Sequence, residues 1–305
     1  NNQQVLNPNL QNERIASAEL GYGFRSSAFR ANVNVYHTTW SDRFQRVSGI
    51  TIPTPTPTDP AATTRAYANL QGVQEVHMGA EFEATYYVNK YLELNGMFSI
   101  GDWKYKNNPT GELFDDNNLP FTQIPGATSN VVDLALDGVK VSDAAQTTAS
   151  LGFTLKPVKE LRVFSNWRYA GNLYGNFNID QNFIIKNGVI PKAAEKGALK
   201  MPDYNLFDLG LSYGFNLQDG SKLTLTGNVY NLLDTYYISD GRSSNHVKEL
   251  GDFSTSTSGG VTTTAQQKYD AYINNPNNFY KGIDTSNSVY FGFGRTWAAS
   301  ISYKF

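Results

Sequence analysis

Hydrophobic and polar residues alternate along most of the chain, and the longest such run is the last one. From Val289 to Phe305 the apolar side chains fall at odd positions, while small or polar residues occupy most even positions. A period of two over this length predicts a strand, and the run exceeds the roughly five or six residues usual in soluble proteins. Because a membrane-crossing strand needs about 9 to 11 residues plus its ends, the run favours a membrane barrel.

The same alternation recurs in earlier segments, so the chain is predicted to form about nine long strands. The earlier runs cover residues 15–25, 29–44, 76–88, 91–105, 147–155, 161–175, 204–217 and 222–237. Short turns, such as Gln218-Asp219-Gly220, alternate with long polar connections. The long connections are expected to be extracellular loops at about 48–66, 107–146, 176–200 and 238–287. Prolines at 53, 55, 57 and 60 support the first, since proline cannot donate to a ladder.

The alternation of turn lengths predicts a topology. In bacterial outer-membrane barrels the short turns lie in the periplasm and the long loops outside. The first strand then descends and the ninth also descends, which leaves Phe305 in the periplasm. An odd number of strands does not close a barrel whose total is normally even. We therefore expect an all-β, transmembrane antiparallel β-barrel, of which residues 1–305 form the C-terminal portion as one segment of one barrel domain.

Composition is compatible with this class and excludes others. The chain has 305 residues, no cysteine, a net charge of -2 and a mean hydropathy of -0.42. Low hydropathy does not oppose a barrel, because half of every strand faces water. The abundance of tyrosine and phenylalanine suits strands and interfacial girdles. The near-zero charge argues against a nucleic-acid partner, and the lack of cysteine removes any disulfide framework.

Several alternatives stand beside the barrel. A soluble all-β protein is the simplest, but it needs neither strands of this length nor apolar faces that end in aromatics. A β-solenoid requires a fixed repeat, and none is visible. For an outer-membrane enzyme, the three histidines, His37, His77 and His246, lie near no nucleophile motif. A passive porin differs from an active receptor in lacking a plug.

Three motifs in chain order resemble the C-terminal barrel region of TonB-dependent outer-membrane receptors. Asn7-Pro8-Asn9-Leu10 with Glu13 and Glu19-Leu20-Gly21 resembles the family's Asn-Pro-Asn-Leu motif and the strand after it, although the usual proline before the glutamate is missing. Asn231-Leu232-Leu233-Asp234 with Tyr236 or Tyr237 is similar to its Asn-Leu-Phe-Asp-x-x-Tyr. The final GRTW and SISYKF resemble its last strand.

The resemblance implies a barrel of twenty-two strands, with a plug and a TonB-interacting box N-terminal to Asn1 and absent from this sequence. It implies active transport of a scarce nutrient of the siderophore, vitamin, glycan or peptide class, with the TonB complex and outer-membrane lipids as partners. It also implies that the barrel assembly machinery reads the closing residues, Trp297, Ile301, Tyr303 and Phe305. A surface lipoprotein partner is common among related glycan and peptide importers, and no residue here marks one.

Candidate ligand contacts are aromatic and acidic residues at strand ends or in the long loops, where such groups can converge on a ligand. They are Trp103, Tyr105, Phe114, Asp115, Asp116, Tyr174 and Phe177. The run Asp115-Asp116-Asn117-Asn118 lacks the spaced ligands of a calcium loop, so no metal is expected. No cofactor is expected either.

Overall fold

Strands dominate the fold, which a computed structural model describes for residues 12–176, 183–218 and 220–305. Two helices, α1 (Lys192–Lys196) and α2 (Ala265–Ile273), and three 3-10 turns at Phe121–Gln123, Leu250–Asp252 and Pro276–Asn278 lie in the connections. In these ranges, no helix combines the length and apolar character that crossing a membrane requires. The strands, in order, are β1 (Arg14–Arg25), β2 (Phe29–Pro53), β3 (Thr63–Tyr87), β4 (Leu92–Tyr105), β5 (Thr110–Asp115), β6 (Val131–Asp133), β7 (Ala145–Leu155), β8 (Leu161–Leu173), β9 (Tyr204–Asn216), β10 (Lys222–Tyr230), β11 (Ile238–Gly241), β12 (Ser256–Ser258), β13 (Val261–Thr263), β14 (Phe279–Tyr280), β15 (Ile283–Asp284), β16 (Val289–Phe291) and β17 (Thr296–Lys304).

Nine long strands form one antiparallel sheet in the order β1-β2-β3-β4-β7-β8-β9-β10-β17. Each strand pairs with its neighbour along the chain, apart from the strands inserted in the long connections. Within the described residues, β1 pairs only with β2 and β17 only with β10, so the sheet is open at both edges. The prediction of about nine antiparallel strands from a larger barrel is confirmed.

One face of this sheet is apolar and exposed. The register aligns Leu20 with Val35, Val35 with Ala80, and Ala80 with Ile100, so these side chains form one row across four strands. Leu20 is 73% exposed and Ile100 46%. A continuous apolar surface of this kind marks contact with a membrane or a partner. It is the lipid-facing pattern of a barrel strand.

The first long connection is shorter than predicted. The expected loop at 48–66 is mostly strand, because β2 continues to Pro53 and β3 begins at Thr63. Ile50 and Ile52 are buried there, which explains why the ladder continues through a segment that ends in proline. Only residues 54–62 connect the two strands.

The last predicted strand is divided. Val289–Phe291 belongs to β16, which pairs with β11 in a separate two-stranded sheet, and β17 begins only at Thr296. The preceding strand ends early as well: β10 stops at Tyr230, although the alternation was extended to Tyr237. Directly after β10, Asn231 and Asp234 have positive φ, so the chain leaves the sheet there. Of the predicted turn 218–220, Asp219 lies outside the described residues.

The long connections contain a hydrophobic core of their own, which the sequence did not predict. The connection between β4 and β7 was expected to be a polar loop at 107–146. It contributes β5, which pairs with the end of β3, and β6, which pairs with β5. Its buried side chains, including Leu113, Leu134 and Leu136, pack against Val47 and Leu70 of the extended β2 and β3. The long connections are therefore packed against the end of the sheet from which they emerge.

Candidate functional site

Trp103, a predicted ligand contact, is part of an aromatic column on the polar face of the sheet. Its ring stacks on His77 at 5.5 Å between centroids, and His77 stacks on Trp40 at 6.3 Å. The indole Nε1 donates to the hydroxyl of Tyr36 at 2.9 Å. A Cβ at Gly101 would lie 2.6 Å from that Nε1, so glycine there lets the ring lie against the strand. The ring of Trp103 is therefore already in contact with neighbouring protein rings.

Tyr105 lies beside a buried charged pair. It is the last residue of β4, and the register places it opposite Glu75. Glu75 is only 4% exposed, and its carboxylate accepts hydrogen bonds from Arg43 and faces His77 at 3.2 Å. Tyr105 also packs against the core of the long connections. Its surroundings are those of a structural residue.

The three predicted contacts at the end of β5 have different positions. Phe114 is buried and stacks on Tyr67 at 5.5 Å. The Asp115 carboxylate accepts hydrogen bonds from the backbone N–H groups of residues 117 and 119, at 2.9 and 2.7 Å, and so stabilises its own turn. Asp116 is exposed, 3.9 Å from Arg65. Phe114 is therefore packed inside the protein, and Asp115 is engaged by its own turn.

The remaining predicted contacts come from the connection between β8 and β9. Tyr174 forms an isolated antiparallel bridge with Lys200. It also lines a cavity of about 470 Å³ together with Lys140 and Lys196. Phe177 lies outside the described residues. Thus the six predicted residues that the structure describes are distributed over separate neighbourhoods.

A different site is formed by three loop segments, and we call it the loop pocket. It is a cavity of about 600 Å³ whose charged lining residues come from α1, from the segment after β11 and from β15. Its basic side chains are Lys192, Lys196, Arg242, Lys248 and His246, and its carboxylates are those of Asp252 and Asp284. Glu249, which pairs with Lys192 and Lys196, and Asp240, 3.7 Å from Arg242, lie next to this lining. When His246 is left out, the four cations are therefore matched by four carboxylates.

Ion pairs join the two sides of the loop pocket. Lys192 lies 3.1 Å from Glu249 and 2.9 Å from Asp252, and Lys196 lies 2.9 Å from Glu249. We call these four residues the loop clip. Since Glu249 and Asp252 flank a 3-10 turn while the lysines lie on α1, the clip connects two different long connections.

The loop clip shifts the pKa values of Glu249, Asp252 and Lys192. Hydrogen bonds from Lys196 and then Lys192 hold the pKa of Glu249 below its usual range. The backbone N–H of Glu249, followed by Lys192, lowers the pKa of Asp252. Conversely, Asp252 and then Glu249 raise the pKa of Lys192. All these shifts favour the charged forms, so the clip is ionised at neutral pH.

The third segment of the pocket is fixed by Asp284. Its carboxylate accepts hydrogen bonds from the Tyr272 hydroxyl of α2 and from the backbone N–H of Ser286 at 2.7 Å. Burial raises the pKa of Asp284, but these hydrogen bonds outweigh burial and leave the pKa below its usual range. In the part of the chain that the structure describes, no group of three or more His, Asp or Glu side chains is arranged to hold a metal.

The loop pocket was not predicted from the sequence, because its cations are single residues spread from Lys192 to Lys248. The loops have no basic run, and each lysine taken alone suggests only a solvated surface. One signal was available: α1 carries two lysines four residues apart, a spacing that places them on one helix face.

A family model described as "TonB dependent receptor-like, beta-barrel" matches residues 1–232. No curated protein matches the chain in sequence. Among solved structures, the unliganded ferric citrate transporter FecA superposes with a TM-score of 0.50 at 12% identity, over 96% of this chain and 31% of that chain. This likeness shows the fold.

Two further structures superpose at lower scores. The closed form of the ferric-catecholate import receptor Fiu from K12 E. coli has a TM-score of 0.48 at 12% identity, over 97% of this chain and 28% of that chain. The copper transporter OprC has 0.47 at 15% identity, over 97% and 32%. The chain therefore spans about a third of the length of the structures that it matches.

Proposed function

Because the chain belongs to the TonB-dependent receptor β-barrel family, we propose that it forms the wall and the ligand-capture loops of an outer-membrane receptor for a scarce nutrient. The family consists of receptors and not of enzymes. The observation that carries the proposal is the family match over residues 1–232, together with nine long strands whose connections are short at one end and elaborate at the other.

In the proposed orientation the long connections face the outside and the short turns face the periplasm, as in other outer-membrane barrels. The packed core of the long connections supports this assignment, because ligand capture needs loops held by a rigid scaffold. Energy would come from the TonB complex, acting through a plug that is not among these residues. The exposed apolar face would contact lipid, and the barrel assembly machinery would insert the wall.

The loop pocket is the part of this chain best suited to meet a solute. Its volume of about 600 Å³ falls in the usual range for small-molecule sites, roughly 300 to 1,000 Å³. Several of its charged side chains are exposed, so solvent reaches them. A passive porin is the alternative function, and its open, unplugged lumen would not require energy.

The test is energy-dependent uptake. The full-length protein would be expressed in a Gram-negative strain with an intact TonB complex and in an isogenic strain without it, and growth would be compared on a panel of limiting nutrients. Active transport predicts a nutrient whose use requires both the protein and TonB. Growth that needs the protein but not TonB would support the porin and overturn the proposal. Restoring TonB on a plasmid controls for secondary defects.

A further inference from the structure

Two arginines lie directly opposite each other at the end of the sheet that carries the short turns. Arg25 is the last residue of β1, and the register pairs it with Arg30 of β2. A tight turn joins the two strands, and in it the backbone N–H of Ser26 donates to the carbonyl of Phe29 at 2.7 Å. Like charges directly opposite on neighbouring strands destabilise a sheet. An anion that both arginines share would reverse the sign of this interaction.

Both arginine side chains border one cavity on the polar face of the sheet. The cavity has a volume of about 480 Å³, and Glu83 is the carboxylate in its lining. Glu83 lies opposite Asn32, whereas Arg30 lies opposite Thr85, one position nearer the turns on the same face. The Asn32 amide donates to the Glu83 carboxylate at 2.6 Å. Glu83 is therefore held by a neighbour on its own row of the sheet.

The two guanidinium groups have no acidic partner. Within residues 12–176, 183–218 and 220–305, no carboxylate lies within ion-pair distance of Arg25 or Arg30. The guanidinium carbon of Arg30 lies 5.5 Å from the ring centre of Tyr87, and such a contact orients the cation without neutralising it. Each guanidinium presents a planar pair of donors that matches the oxygens of a carboxylate or a phosphate.

The surrounding charges do not cancel those of the arginine pair. Strand ends and turns at the same end of the sheet carry six further cations, Lys90, Lys156, Lys159, Arg162, Lys222 and Lys304. The carboxylates there are Glu93 and Glu160, with Glu81 and Glu83 further along β3, and Asp219, outside the described residues, is counted from the sequence as a fifth. Eight cations thus stand against five carboxylates, so the excess of positive charge remains when every carboxylate of this end is included.

We propose that Arg25 and Arg30 together bind one carboxylate or phosphate group on the polar face. The group comes either from a side-chain carboxylate of the rest of the protein or from a free anion in solution, and the chemistry at the arginines is the same in both cases. The site lies at the end of the sheet opposite the long connections, so the inference does not rest on the proposed function.

Urea unfolding of the full-length protein in detergent micelles, in buffer without phosphate, tests for a carboxylate of the protein. Arg25→Gln and Arg30→Gln each remove one cation of the pair. If the pair binds such a carboxylate, each variant should unfold at a lower urea concentration than the unmodified protein, because the anion loses a partner. If the arginines are only two solvated charges, each variant should unfold at an equal or higher concentration, because repulsion is relieved. The two readings therefore differ in the sign of the shift.

A titration with inorganic phosphate at constant ionic strength tests for a free anion. An anion that binds only the folded protein raises the unfolding midpoint. A free-anion site predicts this rise for the unmodified protein and its loss in the double variant Arg25→Gln/Arg30→Gln. A carboxylate of the protein predicts no response to phosphate, because the site is already filled. Either pattern supports the inference and identifies the source of the anion.

Lys90→Gln is the matched control, since it removes a cation from the same end of the sheet but outside the cavity, 4.8 Å from the ring centre of Tyr91. Its midpoint and its response to phosphate should equal those of the unmodified protein. Single glutamine variants at least as stable as the unmodified protein, together with no response to phosphate, would overturn the inference. If the glutamine variants do not assemble, the unmodified protein decides. A midpoint that ignores phosphate and rises with sodium chloride would then overturn it, because screening would be relieving repulsion.

Discussion

The carboxylate of Asp234 accepts a hydrogen bond from the backbone N–H of Arg295, with 2.8 Å between Oδ1 and N. Asp234 follows β10 and Arg295 precedes β17, so this bond closes a connection of more than sixty residues. Nearby, the Asn231 side chain donates to the carbonyl of Phe293 at 3.2 Å and exchanges hydrogen bonds with Thr235. The Asn-Leu-Leu-Asp motif therefore fixes the point at which the last long strand enters the sheet.

We predict that Asn231→Ala destabilises the protein more than Asn231→Gly does. Asn231 has a φ of +50° and is 3% exposed. Both variants lose the side-chain hydrogen bonds, and each buried partner left unsatisfied costs about 1–3 kcal/mol. Alanine adds roughly 1–2 kcal/mol for the left-handed backbone, which glycine adopts freely.

Urea unfolding in micelles, followed by near-ultraviolet circular dichroism, would measure these differences. Asn228→Ala serves as the matched control, since that residue lies on β10 and makes none of the contacts with Phe293 or Thr235. Equal midpoints for the alanine and glycine variants would show that backbone strain does not contribute. A midpoint for Asn231→Gly as high as that of the control would show that the hydrogen bonds do not contribute either.

Glu75 and Arg43 are predicted to be strongly coupled. The Glu75 carboxylate is 4% exposed and accepts a hydrogen bond from Arg43, so Glu75→Gln leaves a partly buried guanidinium opposite a neutral amide. We expect a loss of about 1–3 kcal/mol. In the double variant Arg43→Met/Glu75→Gln, the guanidinium that lost this partner is absent too, and its ion pair with Glu13 at 3.6 Å is lost as well. The total loss should therefore be smaller than the sum of the single losses. Additive losses in a double-mutant cycle would contradict the coupling.

The sequence predicted the long strands well because their alternation is local and strict. Where one side chain lies on the exposed apolar face and the next does not, as at Leu20 and Gly21, the period of two leaves little choice of element. The prediction of secondary structure was wrong where segments distant in the chain bury a residue. Ile52 precedes a proline-rich stretch that suggests a loop, yet it is 7% exposed because β5, β6 and their turns cover that end of the sheet.

The loop pocket could not be predicted from the sequence because it, too, is formed by segments that are distant in the chain. Lys192 and Lys248 lie far apart in the chain, and only the folded connections bring them to one cavity. Asp115 shows the same dependence on tertiary contacts: an acidic residue in a polar loop suggested a ligand contact, and its carboxylate accepts hydrogen bonds from the backbone of its own turn. Neither outcome can be deduced from residue type without the tertiary contacts.

Phe305→Ala is predicted to lower outer-membrane assembly while leaving the stability of the assembled protein nearly unchanged. Phe305 is fully exposed, and the centre of its ring lies 4.9 Å from the centre of the Tyr303 ring. Trp297 and Ile301 are also largely exposed on the same strand, as residues read by an assembly factor would be. Outer-membrane content would be measured by immunoblot of fractions, with Phe293→Ala, another highly exposed aromatic, as the control. Unchanged outer-membrane content would refute the assembly role of Phe305.

Acid is predicted to open the loop clip, but only below the ordinary carboxyl range. The pKa values of Glu249 and Asp252 are lowered in the folded protein. Their contribution to stability is therefore fully present above the pKa of the unfolded carboxyls, about 4, and is lost as the pH falls through the lower folded values. Lys192, with a raised pKa, contributes below its ordinary pKa, about 10.4, and loses this contribution as the pH rises through the raised value.

Hydrogen exchange across the segment 247–253, corrected for the intrinsic dependence on pH, would measure the opening. We expect protection to be constant between about pH 5 and 10, to decrease in acid below that window, and to decrease again only as the pH rises above the ordinary pKa of lysine, about 10.4. The variant Lys192→Met/Lys196→Met should show lower protection within the window and a smaller further loss in acid. No lysine remains to pair with Glu249, while Asp252 keeps the backbone hydrogen bond from Glu249. High salt should reduce the difference between the two proteins, since the clip is exposed. Protection that falls near neutral pH, or that is the same in both proteins, would show that these ion pairs do not hold the two connections together.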